Sequence, residues 1–552
     1  MTGRLITLDE AADTRWDVIV VGTGVGGATF GYAMARAGRR VLFCERGGAH
    51  LAFGDALTGT YPEEHIAGAM AGRDTASVKL LHRGGRDAGL VEDYSLASVR
   101  RFIPYIGSGP GGSSALYGMA MERLFPSDFE PRRHHPTATE SSLPDRWPID
   151  YAELAPWYRA AEALYRLRGT NDPLRAVLDP ERQLLAPPPM TRESAWLSAH
   201  LESRGLHPYR LPMACEFVDG CQGCQGYLCP KTCKNDSAKV CLAPAMSDHG
   251  AHLVADCIVT RLESSSLAVT GVVCRNRADQ VRVLRGEIVA LAAGALRTPA
   301  LLLRSATHDW PLGLANTSGL VGRNLMRHCI DLFAIRVPPE QGAPEDNRQK
   351  QLAFNDFYDG PDGKLGSVQS FGRLPPWEML FASMHDDVLH SKLGFASPLL
   401  RAAKPLLSRT LRDLEEQHVV LAATLEDAPY ADNMVSPARD LADDSTISLR
   451  YRLREHDMHR MTTFRRAVSD SLKPLRVRHI KMSESNQRIA HACGTCRFGN
   501  TPRDSVLDAY NRAHAIDNLF VVDASFFPSS GGTNPSLTIA ANALRVADAL
   551  LN

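Results

Sequence analysis

The chain has 552 residues, 44% of them apolar, with 62 basic and 62 acidic side chains. That balance suits a globular protein of two large interleaved domains, and the absence of net charge argues against a nucleic-acid surface or a broad attraction to anionic membranes. Residues 1–15 lack the apolar core of a secretory signal, and the most apolar later run, 288–303, is interrupted by Arg297 and Pro299. A cytoplasmic location and no transmembrane helix are therefore expected.

The segment 17–47, DVIVVGTGVGGATFGYAMARAGRRVLFCERG, reads as a strand, a glycine turn, a helix from about Ala28 to Ala37 and a second strand at Val41 to Cys44. Gly22, Gly24 and Gly27 supply G-x-G-x-x-G: one permits the tight turn, one lets the backbone approach a pyrophosphate, and one lets helix and strand pack closely. Glu45 follows the second strand, where a carboxylate accepts hydrogen bonds from an adenosine ribose. A dinucleotide site is predicted here.

Residues 50–100 read as a loop-rich excursion, and a second glycine-rich loop, IGSGPGGSSALYG, spans 106–118. Its small residues suit backbone amides lying against an extended cofactor. A linker composition at 131–150 makes His134 and His135 solvated rather than catalytic, and Asp150 is placed to cap a helix running toward Leu167. Paired strands are expected over 251–263. A strand, a tight turn and a helix beginning near Thr298 and Pro299 are expected over 286–303, followed by a loop at 312–327. From about Cys329 to Leu472 alternating strands, at 332–337, 419–424 and 446–451, suggest a separate sheet inserted into the cofactor domain. Within it, residues 393–416 place Leu399, Leu400, Ala403, Leu406, Leu407 and Leu414 near one helical face. A packed helix or lid is favoured over a basic amphipathic helix on a membrane or partner.

Six of the twelve cysteines fall between 215 and 241. Cys221, Cys224, Cys229 and Cys233 have the spacing C-x2-C-x4-C-x3-C. An iron–sulfur cluster, a zinc site, and disulfides or free thiols are all compatible with it. Cys493 and Cys496 are read as packed thiols.

Taken together, the opening fingerprint, GGSSALYG (111–118), WPIDYAELAPWY (147–158), AAGALRTPALLL (292–303), SGLVGRNLM (318–326), EDAPYADNMV (426–435), HACGTCRFG (491–499) and the C-terminal run 518–548 resemble the glucose-methanol-choline (GMC) flavoprotein oxidoreductases. The resemblance implies an α/β fold: a discontinuous, Rossmann-like FAD-binding domain (15–145, 205–328 and 481–552) with an inserted antiparallel-sheet α+β substrate domain (146–204 and 329–480). It carries cofactor roles onto Gly22, Gly24, Gly27, Glu45, Gly111, Gly112, Ser113, Val259 and Asp523. The loop 114–117 holds no histidine for covalent attachment, so noncovalent FAD is expected. Some relatives also carry an iron–sulfur cluster near the position of Cys221–Cys233, with different spacing.

The resemblance places the catalytic base at His491 and its partner at Asn534. A neutral imidazole suits removal of a hydroxyl proton while hydride leaves the adjacent carbon for flavin N5, and an amide suits holding the alcohol oxygen. Oxidation of a CH-OH group is therefore expected, with a polyol, sugar or glycoside first and a hydrophobic alcohol such as a sterol or natural-product intermediate second. An electron-transfer subunit and a non-redox lyase are the remaining alternatives. Oxygen, a quinone or a partner protein is left open as electron acceptor.

Overall fold

Five parallel strands form the cofactor sheet, their central stretches apolar and buried. The order is His252–Val254, Val41–Cys44, Arg15–Val21, Val281–Leu291 and Leu519–Val521, with Val18 opposite Val41 and Val21 opposite both Cys44 and Leu291. In this computed structural model all residues are described except 1–2, 49–54, 73–74, 342–349, 361–362, 392, 442, 482, 484–485 and 490. The long strand Val281–Leu291 serves two sheets. Its first half pairs antiparallel with Val269–Arg275, which in turn pairs with Ile258–Ser264.

Helix Val25–Arg36 covers this sheet and packs against the C-terminal helix Ser536–Leu551, which also meets Tyr151–Leu164. The first begins three residues earlier than its composition suggested, since Gly24 is already its N-cap. Asp150 caps Tyr151–Leu164 as expected, in a reciprocal capping box with Glu153.

A second, six-stranded sheet is antiparallel throughout: Val477–Lys481, Cys329–Arg336, His418–Leu425, Gly366–Ser370, Leu352–Phe354 and Tyr209–Arg210. One face, with Phe333, Ile335, Leu421 and Ala423, packs on Phe464 and Val468 of helix Glu455–Ser471. Residues on the other face, including Leu332, Ala422 and Gln369, look toward the cofactor domain and wall a cavity.

Several sequence expectations need correction. The strand Ile447–Arg450 lies outside this sheet; it joins Met434–Pro437, Val91–Asp93 and Arg100–Phe102, because Ile447 and Leu449 bury against Leu296 and Ala300 of the cofactor domain. The two strands within 251–263 do not pair with each other, each finding a better-matched neighbour. Residues 50–100 are not mainly loop. They contain helices Ile66–Gly72 and Thr75–Arg83, while 50–54 and 73–74 lie outside the described residues.

His135 is buried, not solvated. It meets Glu426, which together with Asp128 receives the ammonium of the fully buried Lys364, at 2.6 and 2.7 Å. The amphipathic stretch 393–416 is two helices, Ser397–Ala402 and Lys404–Gln417. Leu414 is buried under the sheet, but Leu399 and Leu406 are 74% and 82% exposed, so the packed-face expectation holds for the C-terminal part alone.

Candidate active site

The two glycine loops face each other across a cavity of about 630 Å³ that runs from Glu45 and Val259 to His491 and Asn534. Gly22 has φ +100°, and a Cβ on Gly27 would stand 2.2 Å from the Gly22 carbonyl oxygen, so these two glycines are set by backbone shape and packing. Gly24 differs. A Cβ there meets nothing within 4 Å, because the position opens into the cavity where the helix N-terminus presents its amides. Gly111 and Gly112 have φ +88° and +50°, and a Cβ on Gly112 would lie 3.1 Å from the Cα of Gly24. The Ser113 hydroxyl accepts from the Gly107 amide at 3.0 Å. This cradle fits an extended dinucleotide such as FAD.

Glu45 and Asp523 line the same cavity, and both are structural clasps as well. One Glu45 oxygen accepts from the amides of Gly47 and Gly109, each at 2.9 Å, and the other from the amide and hydroxyl of Thr23. Asp523 accepts from the Gly294 amide at 2.8 Å, the Thr298 hydroxyl, and the amide and hydroxyl of Ser525. Each carboxylate thus ties together loops that are distant in sequence. Burial pushes the Asp523 carboxyl up, opposed by those donors.

At the far end His491 and Asn534 share the cavity wall. A third residue, His328, was not anticipated. Its Nδ1 lies 3.0 Å from His491 Nδ1, and its Nε2 lies 2.8 Å from the Gly531 carbonyl oxygen. A carbonyl only accepts, so His328 carries its proton on Nε2 and offers the Nδ1 lone pair. His491 must then donate from Nδ1, which leaves its Nε2 as a bare acceptor. No described residue partners that Nε2.

Both histidines sit in the left-handed backbone region, with φ +63° and +61°, a conformation that costs on the order of 1–3 kcal/mol for such residues. Asp427 holds the first: its two oxygens accept from the amides of Arg327 and His328 at 2.9 and 3.0 Å. Burial chiefly, and then the neighbouring His328 and Lys350, push the His491 ring well below the ordinary histidine range. Asn534 is fixed through its oxygen, which accepts from Gln369 Nε2 at 2.7 Å. Its own amide N–H groups remain for a ligand.

The cysteines regroup. Cys215, Cys221 and Cys233 converge within 4.8 Å, with Cys221 and Cys233 sulfurs 3.3 Å apart and Cys229 3.3 Å from Cys233. Cys215 takes the place that spacing assigned to Cys224, which hydrogen-bonds Cys229 instead. The group packs behind Met119 and Ala120 of the cavity wall. Thiolates bound to separate irons of one cluster need wider spacing, whereas these distances suit a single tetrahedral ion or neighbouring thiols. A second buried trio, Cys44, Cys257 and Cys274, lies near Glu45. Cys493 and Cys496 are buried thiols, as expected.

Residues 150–330 and 429–543 match the family models described as GMC oxidoreductase, together more than half of the chain. The chain belongs to the GMC oxidoreductase family. Among curated relatives it is 29% identical to 6'''-hydroxyparomomycin C oxidase of Streptomyces lividus, covering 98% of this chain and 92% of that one. It is 26% identical to 2-methyl-1,2-propanediol dehydrogenase of Mycolicibacterium austroafricanum, covering 96% and 94%. Pyridoxine 4-oxidase of Mesorbium loti shares the fold with a TM-score of 0.60 at 20% identity, covering 97% of this chain and 99% of that one. As a GMC oxidoreductase the chain is an FAD-dependent enzyme acting on CH-OH donors. No helix among the described residues is long and apolar enough to cross a membrane.

Proposed function

We infer that this GMC oxidoreductase oxidises a hydroxyl of a polyol, sugar or glycoside, with His491 as the base and Asn534 holding the alcohol oxygen. The observation that carries this reading is the hydrogen-bond chain from the Gly531 carbonyl through His328 to His491. It leaves His491 Nε2 unprotonated toward the cavity, ready to take the hydroxyl proton without rotating. Asn534, oriented by Gln369, donates to the same oxygen and keeps it in place as its proton leaves. FAD, when bound, supplies the acceptor for the hydride.

The names of the curated relatives, one acting on a hydroxyparomomycin and one on a diol, support a substrate with several polar groups over a sterol-like one. Noncovalent attachment of FAD is supported by the loop 114–117, where Leu116 and Tyr117 offer no histidine.

The test is anaerobic mixing of the holoenzyme with a panel of polyols, sugars and lipophilic alcohols, following loss of flavin absorption. Bleaching by the polar compounds, and its slowing by about 10²–10⁴-fold in His491→Ala, is the expected result. A holoenzyme that no alcohol bleaches, or a variant that reduces at the wild-type rate, would overturn the assignment.

A further inference from the structure

One cation in the cavity has no counterpart in the chemistry above. Lys350 leads into the strand Leu352–Phe354 and lines the substrate end, its ammonium 5.7 Å from the centroid of the Phe371 ring. It stands 2.6 Å from the point a Cβ on Gly118 would occupy, and Gln225 Oε1 stands 2.5 Å from that same point. The two head groups are therefore neighbours, yet they make no hydrogen bond, and Gln225 Oε1 is a buried acceptor without a partner.

The described carboxylates lining the cavity are all engaged elsewhere. Glu63 pairs with Arg86, Asp87 with Arg297, and Asp444 with Arg275, while Glu45 and Asp523 clasp the cofactor loops. No described carboxylate lies within ion-pair distance of Lys350. Burial alone pushes its amine down to about 8, with no acid to offset it. A half-buried ammonium facing a cavity favours an anion beside it, and the described residues supply none.

Resting on the CH-OH reading above, we propose that the substrate is a hydroxy acid, such as a sugar acid, whose carboxylate is bound by Lys350 while its hydroxyl meets His491. One unpaired cation matches a singly charged carboxylate better than a phosphate dianion, which would call for a second cation, and the Gln225 Oε1 beside it is an acceptor that suits a hydroxyl of the same substrate. The nearness to His491 fits as well. A carboxylate arriving at Lys350 cancels a charge that otherwise opposes protonation of the base, so substrate binding itself favours uptake of the hydroxyl proton.

The experiment compares matched pairs on the holoenzyme: D-gluconate against D-sorbitol, and 6-hydroxyhexanoate against 1,6-hexanediol, by anaerobic flavin reduction. In parallel, benzoate and benzamide are titrated and read by perturbation of the flavin spectrum. The acid of each pair is expected to have a kcat/KM at least about tenfold higher, carried by KM, and benzoate to bind at least about tenfold tighter than benzamide. Lys350→Met should collapse both ratios toward one, and Lys350→Arg should keep them, with flavin content checking that each variant folds. Equal handling of acids and neutral alcohols by the wild type would overturn the proposal, as would equal slowing of both classes in Lys350→Met. If no alcohol of either kind reduces the flavin, the CH-OH reading fails, whereas a Lys350-dependent preference for benzoate would still establish the anion site.

Discussion

His328 Nδ1 lies 3.0 Å from His491 Nδ1, and this contact decides which nitrogen of His491, the proposed base, is left as an acceptor. Because His328 Nε2 is committed to the Gly531 carbonyl, the proton between the rings belongs to His491. His328 acts through His491, so it is a positioning residue. Its replacement by alanine should lower the rate of flavin reduction by about 10-fold, the worth of one buried hydrogen bond, with KM little changed. Partial rescue in His328→Asn, whose side-chain oxygen still accepts, separates tautomer control from simple loss of packing.

The same environment sets the pH dependence. His491 is required neutral, and burial with the neighbouring His328 and Lys350 lowers its pKa from the ordinary value near about 6.5. Activity is therefore full above the depressed pKa and lost only as pH falls through it. The acidic limb of kcat/KM should lie below about pH 6.5, and Lys350→Met should move that limb upward. An acidic limb above the ordinary histidine range would contradict the assignment of His491.

Gln369 donates to Asn534 at 2.7 Å and leaves the asparagine amide N–H groups available at the cavity wall. Gln369→Leu removes that donor and frees the amide to flip. A loss of about 1 kcal/mol in transition-state binding, near fivefold in kcat/KM, is expected; Asn534→Ala should cost more, about 1.5–3 kcal/mol, since its partner is a developing alkoxide. Steady-state rates with the best panel substrate measure both.

Two glycines in one turn should fail differently. Gly27→Ala drives a Cβ to 2.2 Å from a carbonyl oxygen and should destabilise the fold by about 1–3 kcal/mol. Gly24→Ala meets nothing within 4 Å in the protein. It should leave the unfolding midpoint of the flavin-free chain nearly unchanged while cutting flavin retention. Thermal unfolding and flavin content, measured on the same preparations, distinguish the two.

The close sulfurs of Cys215, Cys221, Cys229 and Cys233 predict a protein without iron or labile sulfide, holding at most one zinc at this group. Acid precipitation should release its flavin into the supernatant. Metal and sulfide analysis of anaerobically purified protein checks this, and stoichiometric iron with sulfide would require the loop to open around a cluster.

Lys364 is fully buried between Asp128 and Glu426, both themselves buried. Burial and the nearby Glu426 push the Asp128 carboxyl up, against the pull of Lys364. Removing the ammonium in Lys364→Met leaves the buried Asp128 without its cation, while Glu426 keeps Arg460 and His135, and should cost about 3–5 kcal/mol by denaturant unfolding.

The sequence by itself determined what depends on near neighbours along the chain. The strand, turn and helix at 15–36 follow from an apolar run and glycines at fixed offsets, and Asp150 with Glu153 marks a helix start three residues apart. The motifs also placed His491 and Asn534 in one family pattern, and the cavity brings them together. The tertiary structure alone decided what acts on them. His328 and Gln369 lie 163 and 165 residues from the groups they orient, and neither stands in a local motif that announces it. Lys350 and the buried His135 were equally silent, because the meaning of a charge or an imidazole lies in which partners surround it. Cys215 joined the thiol group by folding back to Cys221 and Cys233. Periodicity and turn chemistry are written over a few residues, whereas hydrogen-bond partnership and desolvation arise only when distant segments are packed against one another.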